Sequence, residues 1–126
     1  MAKEIIRTDN APKSLAGYSQ AVKAAGLIFV AGQGPFDPVT GEVIGESIQD
    51  QTAQCLRNIQ AILHAAGSSL DKAVSATFIL GEESDFGGMN EEWGKWFPIN
   101  PPARQGAKLP IHPKGMKLSI ALIAEA

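Results

Sequence analysis

"MKLSIALIAEA", residues 116–126, is the stretch of sequence that decides the fold class. Read as a strand, it carries apolar side chains on both faces: Leu118, Ile120 and Leu122 on one, Ala121 and Ile123 on the other. A strand that is apolar on both faces needs cover on both sides of its sheet. It therefore predicts a sheet that packs against helices on one side and against a second surface on the other.

Two further segments have the composition of buried strands. "GLIFVAG" (26–32) and "AVSATFIL" (73–80) are rich in β-branched and aromatic residues. In the second segment, strict alternation assigns four side chains to one face: Val74, Ala76, Phe78 and Leu80. The residues before the first segment are predicted to form a polar arm, and "GPFDPVTGEV" (34–43) to form turns.

Two amphipathic helices complete the pattern. Apolar residues recur at helical spacing over 49–66, behind Ser47 as N-cap, and over 84–97, behind a cap at Ser84 or Asp85. The order strand, helix, strand, helix, strand predicts an α+β fold, a mixed sheet with two helices on one face. Two helices cannot cover both faces of this sheet, so we expect the open face to pack against another subunit in a homo-oligomer.

Composition narrows the class of protein. The chain has 126 residues, 44% of them hydrophobic, and shows no internal repeat or linker, so we expect one domain over 1–126. Its net charge of −2 and lack of a Lys/Arg run make nucleic acid a poor partner. No apolar stretch approaches the length of a membrane span, no signal core opens the sequence, and Cys55 is the one cysteine. These features predict a cytoplasmic protein that does not enter membranes.

Few residues have the spacing of a known chemical motif. His64 and His112 stand far apart, and Cys55 lies in a helical apolar pattern, so we expect no metal site and no Cys/His pair. "GQGPFDPVTG" lacks the lysine and following helix of a phosphate loop, and we expect no cofactor. The polar candidates that remain lie beside turns: Tyr18, Gly32, Asn90 and Arg104. Pro101 and Pro102 lie just before Arg104 and restrict the conformations of the backbone that carries it.

The order of several segments resembles the Rid family, the reactive intermediate deaminases, also known as YjgF, L-PSP endoribonuclease or translation-inhibitor proteins. The matching segments run in register from about residue 8 to 124: "NAPKSLAGYSQAVKAAGLIFVAGQGPFDPVTGEV", "QTAQCLRNIQAILHAAGSSLDKAV", "MNEEWGKWFPINPPAR" and "PKGMKLSIALIA". The resemblance implies a chorismate-mutase-like α+β fold and a homotrimer with three ligand clefts between subunits. It also implies hydrolysis of 2-imino or enamine carboxylic acids to 2-oxo acids and ammonia.

The resemblance also assigns ligand-binding residues. It implies that Arg104 holds the substrate carboxylate as a bidentate fork, a task for which a planar, permanently charged guanidinium is suited. Tyr18 and Asn90 would line the cleft, although Ala16 and Gly17 replace a glycine and proline beside the tyrosine. Gly32 would supply a backbone contact with Ala31 in place of a serine, and Gly106, where the family often has cysteine, a backbone amide.

One departure from the family pattern concerns catalysis. The last strand of the family's deaminases reads like "V-E-I-E-A-I-A", whose second glutamate is thought to position water, and Ala121 stands at that place. An alanine cannot position water or move a proton. The catalytic residue is therefore unassigned, with His112 or a bound water as possible replacements. Three hypotheses stay open: an imine deaminase, a trimeric binding or sensing protein for small carboxylates, and, less favoured, an endoribonuclease or translation inhibitor.

Overall fold

The computed structural model describes residues 2–126, which form one six-stranded sheet and two α-helices. The strands are β1 (Glu4–Ile6), β2 (Ala21–Ala24), β3 (Leu27–Gln33), β4 (Ala73–Leu80), β5 (Ala103–Lys108) and β6 (Leu118–Glu125). The helices are α1 (Ile48–Ala65) and α2 (Phe86–Trp96). The predicted α+β class is confirmed.

The strand order across the sheet is β1-β2-β3-β6-β4-β5. The neighbouring strands pair antiparallel, except β4 and β5, which are parallel and are joined through α2. The last strand of the chain, β6, lies between β3 and β4 near the middle of the sheet. This is the position that a strand with two apolar faces predicts.

The core lies between the two helices and one face of the sheet. One buried cluster joins alternate residues of β3, β4 and β6 to the inner faces of α1 and α2. The other face of the sheet carries Phe29, which is 41% exposed, and the half-buried Ala121 and Ile123. Phe29 pairs with Ile123 and with Val22, so this open face has an apolar centre.

The caps of the two helices differ. Asp50 donates its backbone N–H to the Ser47 hydroxyl at 3.0 Å, which confirms Ser47 as the N-cap of α1. The second helix begins later than predicted, at Phe86, because a 3₁₀ turn occupies Glu83–Asp85. Asp85 occupies the N-cap position of α2, but its side chain forms no capping hydrogen bond. The predicted capping interaction at Ser84/Asp85 is therefore wrong.

Three further expectations about strands are corrected. The predicted polar arm contains the strands β1 and β2, and β5 was not predicted, because its six residues are all exposed and show no apolar alternation. Val74 does not share the buried face of β4. The register against β6 shifts between Ala73 and Ser75, so Ala73 is buried and Val74 is 41% exposed.

No helix within residues 2–126 combines the length and the apolar character needed to cross a bilayer.

Candidate functional site

Arg104 lies on the edge strand β5 among three aromatic rings. It pairs with Ala76 of β4, whose side chain faces the helices, so the arginine extends toward α2. The guanidinium carbon is 5.2 Å from the ring centroid of Phe78, 5.8 Å from that of Phe86 and 5.0 Å from that of Trp93. These are cation–π distances, so rings from β4 and α2 together fix the position of the charge.

The guanidinium of Arg104 has no acidic partner within residues 2–126. The ion pairs found there join Lys95 to Glu92 and His112 to Glu82. A cation–π contact uses the charge of a guanidinium, whereas a carboxylate uses its N–H donors. The three rings therefore hold Arg104 while its N–H donors are left for a ligand.

Two other predicted residues lie beside Arg104. Asn90 is exposed on α2, four residues after Phe86 and three before Trp93, so it shares the helix face that meets the arginine. Gly106 pairs with Phe78, and a Cβ at this glycine would overlap the Phe78 ring. The structure thus places Arg104 and Gly106 on one side of β5, sets Asn90 on the helix face that carries Phe86 and Trp93, and gives Gly106 a packing role as well.

A cleft of about 520 Å³, here called the arginine cleft, opens next to these residues. Its lining comes from β4, β5, the 3₁₀ turn at Glu83–Asp85 and the start of α2: Phe78, Leu80, Glu83, Phe86, Gly87, Gly106, Ala107 and Lys108. Phe78 and Phe86 belong both to this lining and to the ring set around Arg104. Arg104 does not line the cleft itself, and these two rings lie between the cleft and the guanidinium as shared neighbours of both.

Tyr18 and Gly32 line a second cleft of about 490 Å³, here called the tyrosine cleft. Tyr18 is 50% exposed, and its neighbours in this cleft include Asp37 and Lys114. Asp37 accepts hydrogen bonds from the backbone N–H groups of Thr40 (2.9 Å) and Val39 (2.7 Å), which hold the pKa of its carboxyl below the usual value. One wall of the cleft is thus a fixed turn with an ionised carboxylate.

Buried amides of α1 hold the loop that forms this wall. Asn58 donates from Nδ2 to the carbonyl oxygens of Gly34 (3.1 Å) and Phe36 (3.0 Å), and accepts from Gln54 (3.0 Å). Gln51 donates to the Gly45 carbonyl at 3.1 Å. The loop that follows Gly32 is therefore attached to the core helix at both of its ends.

The two clefts are separate within one chain. They share no lining residue, and β3 and β5 are separated by β6 and β4. With strands about 4.8 Å apart, three spacings place the backbones of β3 and β5 about 14 Å apart. The structure therefore does not bring Tyr18 and Gly32 to Arg104 in the same chain.

Neither residue considered for catalysis lies at the arginine cleft. Ala121 is half-buried on the open face of the sheet, opposite Thr77, which accepts a hydrogen bond from Gln105 at 3.4 Å. His112 packs on Gly81, lies 3.5 Å from Glu82 through Nε2, and lines neither cleft. Cys55 is fully buried in α1, and burial raises the pKa of its thiol.

Comparison with known proteins decides the family. A model of the endoribonuclease L-PSP family matches residues 8–126. The chain belongs to this family, which is also called YjgF or Rid. A RutC family protein of Pyrococcus horikoshii is 46% identical over 122 residues, with 97% of each chain covered.

Two other Rid family relatives carry more specific names. The 2-iminobutanoate/2-iminopropanoate deaminase of Rattus norvegicus is 35% identical over 122 residues, covering 97% of this chain and 89% of that protein. The crystal structure of TdcF from Escherichia coli, described with bound serine, superposes with a TM-score of 0.91 at 33% identity and 98% coverage of each chain. The Rid fold therefore extends over nearly the whole sequence.

Sequence reasoning missed the aromatic set around the arginine of this Rid family chain. The sequence predicts apolar faces for the strand over 73–80 and the helix over 84–97, and the structure places three residues of those segments, Phe78, Phe86 and Trp93, against Arg104. Their helical part was detectable, because Phe86 and Trp93 are two turns apart on one face of α2. Their meeting with Arg104 depends on the parallel pairing of β4 and β5, which no local pattern indicates.

Proposed function

We propose that this protein hydrolyses 2-imino or enamine carboxylic acids to 2-oxo acids and ammonia, with the substrate carboxylate on Arg104. The observation that carries the proposal is the guanidinium held by three rings without an acidic partner in residues 2–126. Such a group is a ready carboxylate site. Family membership and the rat relative named as a 2-imino acid deaminase support the reaction type.

The reaction places simple demands on the site. The oxygen of one water adds to the C=N carbon, water protons move to nitrogen, and the C–N bond breaks to release ammonia and leave a C=O group. Arg104 would orient the substrate and hold its negative charge, while Asn90 and the Gly106 amide would offer polar contacts. Imines already react with water, so orientation alone supports a modest rate acceleration.

The proposed site is shared between subunits of a homotrimer. Tyr18 and Gly32 lie in a cleft separate from Arg104 within one chain, so a complete site needs the tyrosine cleft of a second copy. The apolar open face of the sheet, with Phe29 exposed, supports such an assembly. In this arrangement each trimer contains three sites.

The rate at which the imine is converted to 2-oxo acid and ammonia tests the proposal. An amino acid oxidase generates 2-iminopropanoate or 2-iminobutanoate in place, and 2-oxo acid formation is followed with and without the protein. We expect acceleration by the wild type and its loss in Arg104→Ala and in Arg104→Lys, because lysine lacks the bidentate fork. An unchanged rate on adding the wild-type protein would reject the deaminase function.

A second candidate function is favoured by Ala121. Its methyl group stands where the family resemblance implies the water-positioning glutamate, and the nearest polar pair on that sheet row is Thr77 with Gln105. The protein would then be a trimeric carboxylate-binding or sensing protein without turnover. Pyruvate would raise the melting temperature of the wild type but not of Arg104→Ala, while the protein would not accelerate imine hydrolysis beyond the rate in water.

A further inference from the structure

We infer that the arginine cleft selects 2-imino acids with a large apolar side chain, such as isobutyl or benzyl, over those with a methyl group. This inference rests on the proposed function, because it assigns the carboxylate to Arg104. In one chain the cleft holds about 520 Å³ and is open to solvent, so it has room for a side chain larger than a methyl group. Space of this kind next to a carboxylate site is typical of a pocket for the rest of the ligand.

The lining of the cleft determines the chemistry of that side chain. Six of its eight residues are apolar or glycine, and two of these are the aromatic residues Phe78 and Phe86. The same two rings lie 5.2 and 5.8 Å from the Arg104 guanidinium carbon. A substrate bound through its carboxylate at Arg104 would therefore have its side chain beside two aromatic rings.

The charges of the cleft do not favour an acidic or a basic side chain. The two charged lining residues are Glu83 and Lys108, one of each sign, and both are exposed to solvent. Their fields oppose each other, so neither an anion nor a second cation gains a net attraction. Apolar contact is the remaining basis for selection, and a hydrophobic pocket discriminates by about tenfold or more per methylene.

The second helix offers a matched pair of positions for a test. Gly87 lines the cleft, and a Cβ at this residue meets no atom within 4 Å. Gly94 lies two turns further along the same face of α2 and does not line the cleft, and a Cβ there also meets nothing within 4 Å. Gly87→Leu therefore fills cleft space, while Gly94→Leu makes the same chemical change elsewhere on α2.

Calorimetric titration of the intact protein with two stable 2-oxo acids tests the inference. We expect 4-methyl-2-oxopentanoate to bind the wild type at least about tenfold more tightly than pyruvate. Gly87→Leu should bring that ratio close to one, and Gly94→Leu should keep it. Affinities within twofold in the wild type, or a Gly87→Leu ratio equal to the wild-type ratio, would overturn the inference.

The same titration separates this inference from the proposed function. If both acids bind equally and Arg104→Ala abolishes binding, the carboxylate site stands and the side-chain selectivity is wrong. If neither acid binds the wild type, the site at Arg104 is wrong and the inference falls with it. In both cases the folded state is checked by the urea midpoint of each variant.

Discussion

Gly106 and Phe78 form a complementary pair beside the proposed ligand. The two residues are direct neighbours on the parallel strands β4 and β5, and the Phe78 ring occupies the space that a side chain at position 106 would take. The same ring contacts Phe86, with centroids 5.9 Å apart, and Arg104. The absence of a side chain at Gly106 is therefore what allows the ring to reach the guanidinium.

Gly106→Ala is expected to destabilise the protein and weaken carboxylate binding together. The new methyl group would displace the Phe78 ring, at a cost of about 1–3 kcal/mol typical of overpacking. Urea unfolding and pyruvate titration measure the two effects. Adding Phe78→Leu should recover part of the stability but not the binding. An unchanged urea midpoint in Gly106→Ala would contradict the packing role.

Ala121→Glu is expected to raise the rate of imine hydrolysis only through the proposed trimer, because in one chain Ala121 lies on the open face and away from Arg104. The residue is half-buried on the open face, and general base catalysis contributes about 10²–10⁴-fold where it operates. Ala121→Gln is the control, because an amide of the same size cannot accept a proton at neutral pH. Equal rates for the two variants would show that the carboxylate does not act as a base there.

At the scale of elements, a row of amides on α1 joins the helix to the loop after β3. Asn58 is 1% exposed and Gln51 2% exposed, and both use their side chains to bind backbone groups outside the helix. Gln51 also accepts from the Lys117 N–H at 2.8 Å, just before β6. The helix therefore positions the wall of the tyrosine cleft and the start of β6.

Asn58→Asp is expected to destabilise the fold by about 2–4 kcal/mol, because it removes two donated hydrogen bonds and sets a carboxylate against the carbonyls of Gly34 and Phe36. Gln60→Glu makes the same amide-to-acid change at a half-buried position of α1. We expect it to change stability by less than about 0.5 kcal/mol. Urea unfolding compares them, and equal losses would contradict the loop-anchoring role.

The elements that the sequence predicts are those with strong periodicity. α1, β3, β4 and β6 lie within a residue or two of their predicted bounds, because each buries a regular apolar face. β1, β2 and β5 were missed, because these strands of three, four and six residues are too short or too exposed to show a clear apolar alternation. Arg104 was identified as a candidate from the prolines before it and from the family resemblance, whereas its aromatic surroundings depend on the pairing of β4 with β5.

At the scale of the whole molecule, the open face of the sheet and the separation of the two clefts both favour association between copies of the chain. The centre of the open face contains Phe29 and Ile123, which pair across β3 and β6. The candidate ligand residues are divided between two clefts that lie on different parts of one chain. Association through the open face would both cover the apolar surface and bring clefts of different copies together.

Phe29→Glu is expected to prevent assembly, because it would bury a carboxylate in the apolar centre of the proposed interface. Light scattering after gel filtration should give the mass of one chain, 13.3 kDa, for this variant. The wild type and the conservative Phe29→Leu should give about three times that mass. A wild-type mass of one chain would reject the homotrimer.

Mixed subunits test whether each site is built from two chains. Arg104→Ala lacks the carboxylate contact and Tyr18→Ala lacks the opposite wall, so we expect each variant alone to bind pyruvate poorly. If the two variants are unfolded together in equal amounts and refolded, a site is intact when one chain supplies Arg104 and its neighbour supplies Tyr18. Random assembly in a cyclic trimer makes about one quarter of the sites intact. Calorimetry of the mixture should therefore detect about that fraction of wild-type binding. A site formed within one chain would give none, because every chain in the mixture carries one of the two substitutions.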